Sequence, residues 1–533
     1  MANKLELTWY GKDEPIRVEP RLLVENAALS NTAADSNTEN MLIHGDNLLA
    51  LKALESKYSG RVKCIYIDPP YNTGAAFEQY NDNLEHSIWL NLMQPRFEIM
   101  RGLLSDNGSL WVNLDDNEVH YCKVLLDDIF GRGNFLCDIA WEKRYSPPAD
   151  IKDFGWVHDH ILVYRRSSAF SRNLLPFTDD QVGRYKNPDN DPRGPWKAAD
   201  YTCRFTAKQR PNLYYPIVQP ITGEEIWPKE TRVWANSKEE HEKNVRENRL
   251  WWGTNGKNKV PAKKNFLTDI QQGMMPMSLW HYQMAGTNQD AKKESMALFG
   301  NDPFATPKPE KLIYLILSIA SDPGDVVLDS FLGSGTTAAV AHKMGRRYIG
   351  IEMGGHAYTH CKVRLDKVIS GEDNGGVSKS TNWQSGGGYR FYELAPSLIN
   401  RDPFDEYVIN EEYDADMLAA AVALHEGFHY QPDGHLFWKQ SIGNEKSYLF
   451  VTTRHLNSTY LDSIKDTMED GEYLIIACRS FENGLDRAYD NITIKKIPQM
   501  LLDRCEFGKD DYNLNIVHPP KYEDKFDEED SNE

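Results

Sequence analysis

The sequence lacks the features of a membrane or secreted protein. No run of about 18 apolar residues occurs among its 533 residues, which excludes a conventional transmembrane helix. The segment Met1 to Pro15 lacks the apolar core of a signal peptide. Seven cysteines are scattered and none forms a CxxC pair, so neither a disulfide framework nor a cysteine-rich zinc site is indicated. The sequence therefore predicts a cytoplasmic protein with reduced thiols.

The motifs of an ATP-driven or nucleolytic enzyme are also missing. No glycine-rich loop is followed by GKS or GKT, which excludes a Walker phosphate-binding loop. No convincing PD-(D/E)xK nuclease pattern occurs. A helicase or nuclease activity is therefore not predicted for this chain.

Positive charge is scarce overall but not everywhere. The formal net charge is −19, and residues 371–533 carry about −17 of it, while residues 151–300 sum to about +6. Since salt screens attraction beyond roughly 8 to 10 Å, a locally basic segment can still bind a polyanion. The overall acidity therefore does not exclude nucleic acid as a partner.

Two segments have the alternating pattern of an α/β fold. Residues 41–166 alternate short apolar strands with longer amphipathic stretches, and residues 302–370 repeat this rhythm. Such alternation predicts a mostly parallel, doubly wound sheet with helices on its faces. We therefore expect the two segments to be halves of one domain.

The remaining segments differ in composition. Residues 167–301 are rich in Trp, Tyr, Arg, Lys, Pro, Gly and Asn without sustained periodicity, and residues 371–390 are rich in Gly, Ser and Asn. We expect an N-terminal extension at 1–40, an insertion at 167–301, a linker at 371–390, an acidic C-terminal domain of mixed strands and helices at 391–522, and a disordered acidic tail at 523–533.

The strongest local signal is the tetrapeptide Asp68-Pro69-Pro70-Tyr71, which follows the apolar strand of residues 62–67. Two prolines cannot continue a central strand, so the chain leaves the sheet at the edge where open α/β sheets bind ligands. A carboxylate and proline carbonyls held there can accept the hydrogens of an aromatic amine, and the tyrosine can stack on an extruded base. A simple turn at a strand end would give the same residues.

A second signal is the segment Asp329 to Thr337, which also lies between a predicted strand and a predicted helix. Gly333 and Gly335 allow close approach of the backbone to a ligand, and the following helix offers amides to an anion. Glu352 ends the next strand, where an acidic side chain commonly binds ribose hydroxyls. These residues predict a site for a nucleoside-containing cofactor, either NAD, a flavin or S-adenosylmethionine.

Together these motifs resemble the amino-methylating (beta-class, permuted) DNA methyltransferases, in which the catalytic motif precedes the cofactor motif. Within that family the chain looks most like the modification subunits of type III restriction-modification systems. The resemblance covers residues 5–369, and it rests on LTWYGK near the start, Leu42 to Asn47, Asp68 to Gly74, Asn81 to Asn83, Leu114 to Glu118, His158 to Tyr164, Thr306 to Pro309 and Asp329 to Thr337.

The resemblance implies a Rossmann-like S-adenosylmethionine-dependent fold with an inserted target-recognition domain and a C-terminal α+β domain. It implies catalysis by Asp68, Pro69, Pro70 and Tyr71, and it implies S-adenosylmethionine binding by Asp46, Lys308, Asp329, Phe331, Gly333, Gly335, Thr336 and Glu352. The expected substrate is adenine in double-stranded DNA, methylated at N6 after base flipping in the cytoplasm of a prokaryote. A homodimer and a separate helicase-nuclease restriction subunit are the expected partners.

Several alternatives stay open. Asp before Pro-Pro-Tyr favours adenine over the N4 amine of cytosine only as a family tendency. A dinucleotide-dependent oxidoreductase would use the Gly333 and Gly335 loop but leaves the tetrapeptide without a role, and a DNA-binding subunit without turnover would keep the fold. His425 to His429 matches the zinc-protease HExxH pattern, but Gly427 weakens that helix, so we expect one packed and one exposed histidine and no bound metal.

Overall fold

The computed structural model describes residues 7–14, 16–71, 82–147, 154–177, 179–269, 273–502, 504–510 and 512. The chain divides into two compact units. The larger unit combines Met1–Asn173 with Met277–Glu533, and the inserted unit is Leu174–Pro276. Among the described residues, no helix is long and apolar enough to cross a membrane.

The first part of the larger unit begins the α/β alternation. Its elements are β1 Leu23–Glu25, β2 Met41–His44, α1 Asn47–Tyr58, β3 Val62–Ile67, α2 Asp82–Leu103, β4 Leu104–Leu114, α3 Val119–Leu126, β5 Phe135–Glu142 and β6 His158–Arg165. The run of apolar residues in β3 is buried almost throughout, as in a central strand covered on both faces.

The inserted unit consists of short elements around an aromatic core. They are α4 Asp179–Val182, β7 Trp196–Asp200, β8 Thr202–Cys203, β9 Ile217–Val218, β10 Glu225–Ile226, β11 Val233–Trp234, α5 Lys238–Arg246, β12 Leu250–Trp251 and β13 Ala262–Phe266. Its core contains Tyr201, Tyr215, Trp234 and Trp252. This architecture explains why no regular periodicity marks the segment in the sequence.

The chain then returns to the larger unit and completes the alternation. The elements are β14 Leu279–Trp280, α6 Tyr282–Ala285, α7 Asn288–Phe299, α8 Glu310–Ala320, β15 Val326–Asp329, α9 Thr336–Lys343, β16 Arg347–Glu352, α10 Val363–Ser370, α11 Ser378–Thr381 and β17 Arg390–Leu394.

One ten-stranded sheet contains both predicted halves. Its strand order is β1-β17-β2-β16-β15-β3-β4-β6-β5-β14. The six strands from β17 to β4 run parallel to one another, and β6 and β5 continue the sheet in antiparallel pairing. The doubly wound α/β prediction is confirmed. Strands β3 and β15 are neighbours although about 260 residues separate them, which makes their junction the place where the two halves meet.

The C-terminal part forms a second, smaller sheet in the larger unit. Its elements are β18 Ile399–Arg401, β19 Tyr407–Ile409, α12 Ala415–Glu426, β20 His429–Tyr430, β21 Ser441–Ile442, β22 Ser447–Leu456, α13 Ser458–Lys465, β23 Tyr473–Phe481, β24 Ile492–Lys496 and α14 Gln499–Leu502. Strands β20 to β24 form one sheet, with β22, β23 and β24 parallel.

The boundaries of the structural units differ from the predicted ones. Residues 167–173 and 277–301 of the predicted insertion belong to the larger unit, where the second range forms β14, α6 and α7. Strand β17 starts at the end of the predicted linker and pairs with β2 in the main sheet. The predicted tail 523–533 and residues 72–74 and 81 of the resemblance lie outside the described residues.

Candidate active site

The two sequence signals meet at one edge of the main sheet. Strand β3 ends at Ile67 and leads into Asp68, and its parallel neighbour β15 ends at Asp329. Residues after both strands line a single cavity of about 140 Å³, together with the segment that precedes α8. Its lining comprises Tyr66, Asp68, Phe304, Thr306, Pro307, Lys308, Asp329, Phe331, Leu332, Gly333, Ser334, Thr336 and Thr337.

The Asp68 carboxylate is held on both of its oxygens. Oδ1 accepts hydrogen bonds from the Tyr71 hydroxyl at 2.7 Å and from Asn113 Nδ2 at 3.3 Å. Oδ2 accepts from Lys308 Nζ, which also lies 5.2 Å from the centre of the Tyr71 ring. The carboxylate is thus oriented before any substrate arrives, and Lys308 pairs with its second oxygen.

The two prolines differ in what their carbonyls can do. The Pro70 carbonyl accepts a hydrogen bond from Trp89 Nε1 at 2.8 Å, which fixes the turn against α2. Pro69 is buried, whereas Pro70 is exposed. Of the two proline carbonyls, we therefore expect that of Pro69 to accept a hydrogen bond from the substrate amine.

Two polar residues of this site were given no role from the sequence, although one of them, Asp159, lies in a motif that carries the resemblance. Asn113, at the end of β4, is fully buried and also donates to the Tyr71 hydroxyl. Asp159, on β6, is buried, pairs with Lys143, and has Oδ2 3.4 Å from the Tyr71 hydroxyl. Asp159 could have been found, because it shares its strand face with the apolar residues Ile161 and Val163.

The Tyr71 hydroxyl lies inside this carboxylate-rich network. Burial raises the pKa of Tyr71 well above its ordinary value, and the nearby charges of Asp68 and Asp159 raise it further. The phenol therefore stays protonated at neutral pH, and it can donate to Asp68.

The cofactor loop is shaped by its glycines. Gly335 has φ +80° and precedes α9 directly, and a Cβ atom there would lie 3.1 Å from the Cα atom of Cys361. Gly333 has φ +56°, and its amide donates to Glu352 Oε2 at 2.7 Å. Both positions require glycine because other residues rarely adopt this backbone conformation. Glu352 thus braces the loop, and its Oε1 accepts from the Gly354 amide at 3.0 Å.

Asp329 is the buried acid of the cavity. Its side chain accepts a hydrogen bond from the Phe331 amide at 2.9 Å. Burial raises the pKa of Asp329 to about 7, and the negative charges of Asp68 and Glu352 contribute in the same direction. A cationic group bound in the cavity would favour the ionised carboxylate.

Asp46 is not among the residues that line this cavity. It is the N-cap of α1, where Oδ1 accepts from the amides of Leu48 at 2.8 Å and Leu49 at 3.1 Å. Arg96 lies 3.5 Å from its Oδ2. Since β2 runs parallel to β16 with His44 opposite Glu352, Asp46 still follows a strand that ends at the same sheet edge. Its expected role near the adenosyl group stays a prediction.

A histidine and aspartate cluster lies on the neighbouring strands. Ligand atoms of Asp116, His158 and His160 lie within 4.8 Å of one another. His160 Nδ1 contacts Asp138 Oδ2 at 3.0 Å, and its Nε2 contacts Asp116 Oδ1 at 3.2 Å. The hydrogen bond to Asp138 contributes most to raising the pKa of His160. A protonated imidazole that joins two carboxylates accounts for this arrangement.

The HExxH pattern does not form a zinc-protease helix. Helix α12 ends at Glu426, and Gly427 adopts the left-handed conformation. His425 is buried, and burial lowers its pKa to about 4, whereas His429 is exposed on β20. The expectation of one packed and one exposed histidine is confirmed.

Comparisons with known proteins identify the family to which the chain is similar. A family model described as "DNA methylase" (N6_N4_Mtase) matches residues 62–362. The chain is 32% identical over 420 residues to the probable type III restriction-modification enzyme HindVI Mod subunit of Haemophilus influenzae. The aligned region covers 67% of this chain and 54% of that protein.

Two further relatives have similar identity. The chain is 30% identical over 359 residues to the type III StyLTI Mod subunit of Salmonella typhimurium, covering 62% of this chain and 54% of the relative. It is 30% identical over 345 residues to the type II methyltransferase M.KpnI of Klebsiella pneumoniae, covering 59% and 79% respectively. The chain spans about half the length of the two type III relatives.

Proposed function

The chain belongs to the DNA methylase family, whose model matches more than half of its residues, and on that premise we propose that it transfers the methyl group of S-adenosylmethionine to the N6 amine of adenine in duplex DNA. The observation that carries the proposal is the junction of β3 and β15. It brings the Asp68 carboxylate and the glycine loop after Asp329 to one cavity. An acceptor for an amine and a cofactor loop are the two parts that such a transfer needs.

The residues around the cavity fit S-adenosylmethionine, which supplies an electrophilic methyl group when it is bound. Asp329 offers a buried carboxylate to the amino group of the methionine portion, and Glu352 lies where ribose hydroxyls are commonly bound. Phe331 and the backbone at Gly333 line the cavity itself. Thr336 and Gly335 hold the loop at the start of α9, and Asp46 is assigned to the adenosyl end.

Asp68 and the Pro69 carbonyl would accept the two hydrogens of the adenine amine. Acceptors in this position favour a pyramidal nitrogen with its lone pair directed at the methyl group, and preoriented acceptors stabilise the positive charge that develops. Tyr71 supplies a stacking face for the extruded base. Lys308 must leave Asp68 Oδ2 for this contact to form, and the carboxylate of the methionine portion is a suitable new partner for it.

We assign sequence reading to the inserted unit and subunit contacts to the C-terminal part. The inserted unit carries an excess of about four positive charges, and exposed Phe205 lies beside Arg210 with 5.0 Å between the guanidinium carbon and the ring centre. Arg, Lys and Asn side chains of this kind can read base edges. A homodimer and a helicase-nuclease restriction subunit are the partners we propose, in the cytoplasm of a bacterium.

The test is transfer of a labelled methyl group to DNA. Purified protein with labelled S-adenosylmethionine is expected to produce N6-methyladenine in duplex DNA, identified by mass spectrometry of the nucleosides. Binding of S-adenosylmethionine and of NAD, measured by calorimetry, separates a methyltransferase from an oxidoreductase. N4-methylcytosine as the product would overturn the base assignment, and NAD binding without S-adenosylmethionine binding would overturn the reaction.

The affinity for S-adenosylmethionine is expected to rise with pH between about 5.5 and 7. Asp329 is neutral below its pKa of about 7, and only its ionised form pairs with an ammonium group. Binding should therefore weaken by up to about tenfold for each pH unit below 7 and should release a proton. Calorimetric titration in buffers of different ionisation enthalpy measures both effects. The Asp329→Asn variant should bind more weakly with a flatter profile, and an unchanged slope in that variant would refute the assignment.

A further inference from the structure

Two large aromatic side chains are exposed on the connection between β5 and β6. Phe154 is 87% exposed and Trp156 is 62% exposed, and they lie shortly before β6, which begins at His158. We call this pair the aromatic tip. Tyr145 on the same connection is also exposed, but its ring packs edge-on against Tyr282 with 5.9 Å between the centroids. Exposed aromatic groups close together are typical of a binding surface.

Hydrogen bonds hold the two ends of the connection between β5 and β6. The Arg144 amide donates to the Val157 carbonyl at 3.2 Å, which extends the pairing of the two strands. The Asn288 amide donates to the Lys143 carbonyl at 3.0 Å, and the Lys143 side chain pairs with Asp159. The described residues on each side of the tip are therefore fixed to the sheet.

The two arms of the connection also pack against each other. A Cβ atom at Gly155 would lie 2.3 Å from the Cβ atom of Pro147. A side chain at position 155 would separate the arms. Gly155 stands between Phe154 and Trp156, and the absence of its side chain lets the chain approach Pro147 at this point while both aromatic rings remain exposed.

The aromatic tip lies near the entrance to the candidate active site. Asp159 Oδ2 lies 3.4 Å from the Tyr71 hydroxyl, and Trp156 precedes Asp159 by three residues. An extended chain advances about 3.3 Å per residue, so the backbone of Trp156 is within about 10 Å of the backbone of Asp159. A duplex that delivers adenine to Asp68 must therefore pass close to the tip.

Base extrusion destabilises the DNA duplex, and exposed aromatic side chains can offset part of this cost. A base that leaves the stack breaks its pairing and stacking and leaves a gap, and apolar side chains inserted between base steps can offset part of that loss. We propose that the aromatic tip inserts into the DNA duplex and fills the gap that the extruded adenine leaves. This inference rests on the proposed methylation of a flipped adenine.

The experiment compares two duplexes that contain the target sequence methylated by the wild-type protein. In one, the target adenine pairs with thymine. In the other, it lies opposite an abasic site, where extrusion breaks no base pair. The variants are Phe154→Ala and Trp156→Ala, with Phe154→Leu and Trp156→Phe as conservative replacements. The control is Val24→Ala, because Val24 is an apolar residue that is 40% exposed but lies on β1, at the edge of the main sheet far from β5 and β6.

At least one alanine variant is expected to lose about tenfold or more in kcat/KM on the paired duplex and less than about threefold on the abasic duplex. Its conservative replacement should recover most of the loss. The fluorescence of 2-aminopurine at the target position, which rises on extrusion, should fall in the same variant on the paired duplex alone. Val24→Ala should match the wild type in each assay.

Equal losses on both duplexes would overturn the inference, because they would indicate a role in holding DNA or in folding. Wild-type kinetics in both alanine variants would also overturn it, as would a similar loss in Val24→Ala. No methylation of any DNA by the wild-type protein would instead overturn the proposed function on which the inference rests. Melting temperatures of all variants distinguish misfolding from a loss of extrusion.

Discussion

The Asp68→Ala variant is expected to lose methyl transfer by at least about 10²- to 10³-fold, which is the effect of removing one oriented hydrogen-bonding group from a developing charge. The loss should be in kcat, because the side chain acts on the amine as it becomes positively charged. Single-turnover transfer of labelled methyl groups to DNA measures it. A variant with transfer near the wild-type rate would refute the catalytic assignment.

Cofactor binding in the same variant is expected to be retained. Removing Asp68 frees Lys308 for the carboxylate of the methionine portion. It also removes a negative charge that raises the pKa of Asp329, so more of the Asp329 carboxylate is ionised at pH 7. Asp68→Asn is the matched control, because it keeps one oxygen acceptor and the shape of the side chain. A loss of cofactor binding in both variants would indicate damage to the cavity.

The sequence was sufficient to predict which two segments form the site. Asp68 and Asp329 each follow a short apolar strand, and ligands bind at the carboxyl ends of parallel strands. The sequence alone did not show that β3 and β15 are neighbours, because strand order depends on the packing of helices on both sheet faces. The direct contact between Lys308 and Asp68, 240 residues apart, follows from that order.

Residues that reach the site from the strands beside β3 were harder to predict. Asn113 comes from β4, the last of the parallel strands, and Asp159 comes from β6, which pairs with β4 in the antiparallel direction. Their roles depend on strand register, which places Asp159 towards Tyr71 and directs His158 and His160 to the other face. A shift by one residue would exchange these faces, and sequence patterns do not fix register to that accuracy.

Strand β17 shows why the domain boundaries were also difficult to predict from the sequence. The residues before it have the Gly and Ser content of a linker, which led to the prediction of a separate domain after residue 390. The structure instead pairs β17 with β2 on one side and β1 on the other. Three residues of β1 are too few to carry a pattern, and their pairing partner is about 370 residues away.

The Arg364→Met variant is expected to lower the free energy of unfolding by about 3 kcal/mol, because it removes one of the two cations that pair with the buried Glu310 carboxylate, the other being Lys343. Arg364 is buried, and its Nη2 donates to Glu310 Oε1 at 2.8 Å. Burial opposes ionisation of Glu310, but the charges of Arg364 and Lys343 outweigh it and lower the pKa of the carboxyl. Chemical denaturation monitored by circular dichroism measures the loss.

The same variant should weaken S-adenosylmethionine binding, because Arg364 also holds the cofactor loop. Its Nη1 donates to Thr336 Oγ1 at 2.7 Å, and that hydroxyl donates to the Lys308 carbonyl at 3.2 Å. Thr336 thereby joins the loop to the segment that carries Lys308. Calorimetry under conditions in which the variant is fully folded separates this effect from the loss of stability.

A variant at a surface ion pair and a double variant test whether the loss of a buried charge causes the loss of stability in Arg364→Met. Lys362 lies in the same region and pairs with Asp366 at 2.7 Å at the surface, so Lys362→Ala should cost less than about 1 kcal/mol. Combining Arg364→Met with Glu310→Gln leaves Lys343 paired with Asp373 at 2.8 Å, so part of the lost stability should return. Additive losses in the double variant would show that packing at Arg364, and not its charge, stabilises this part of the fold.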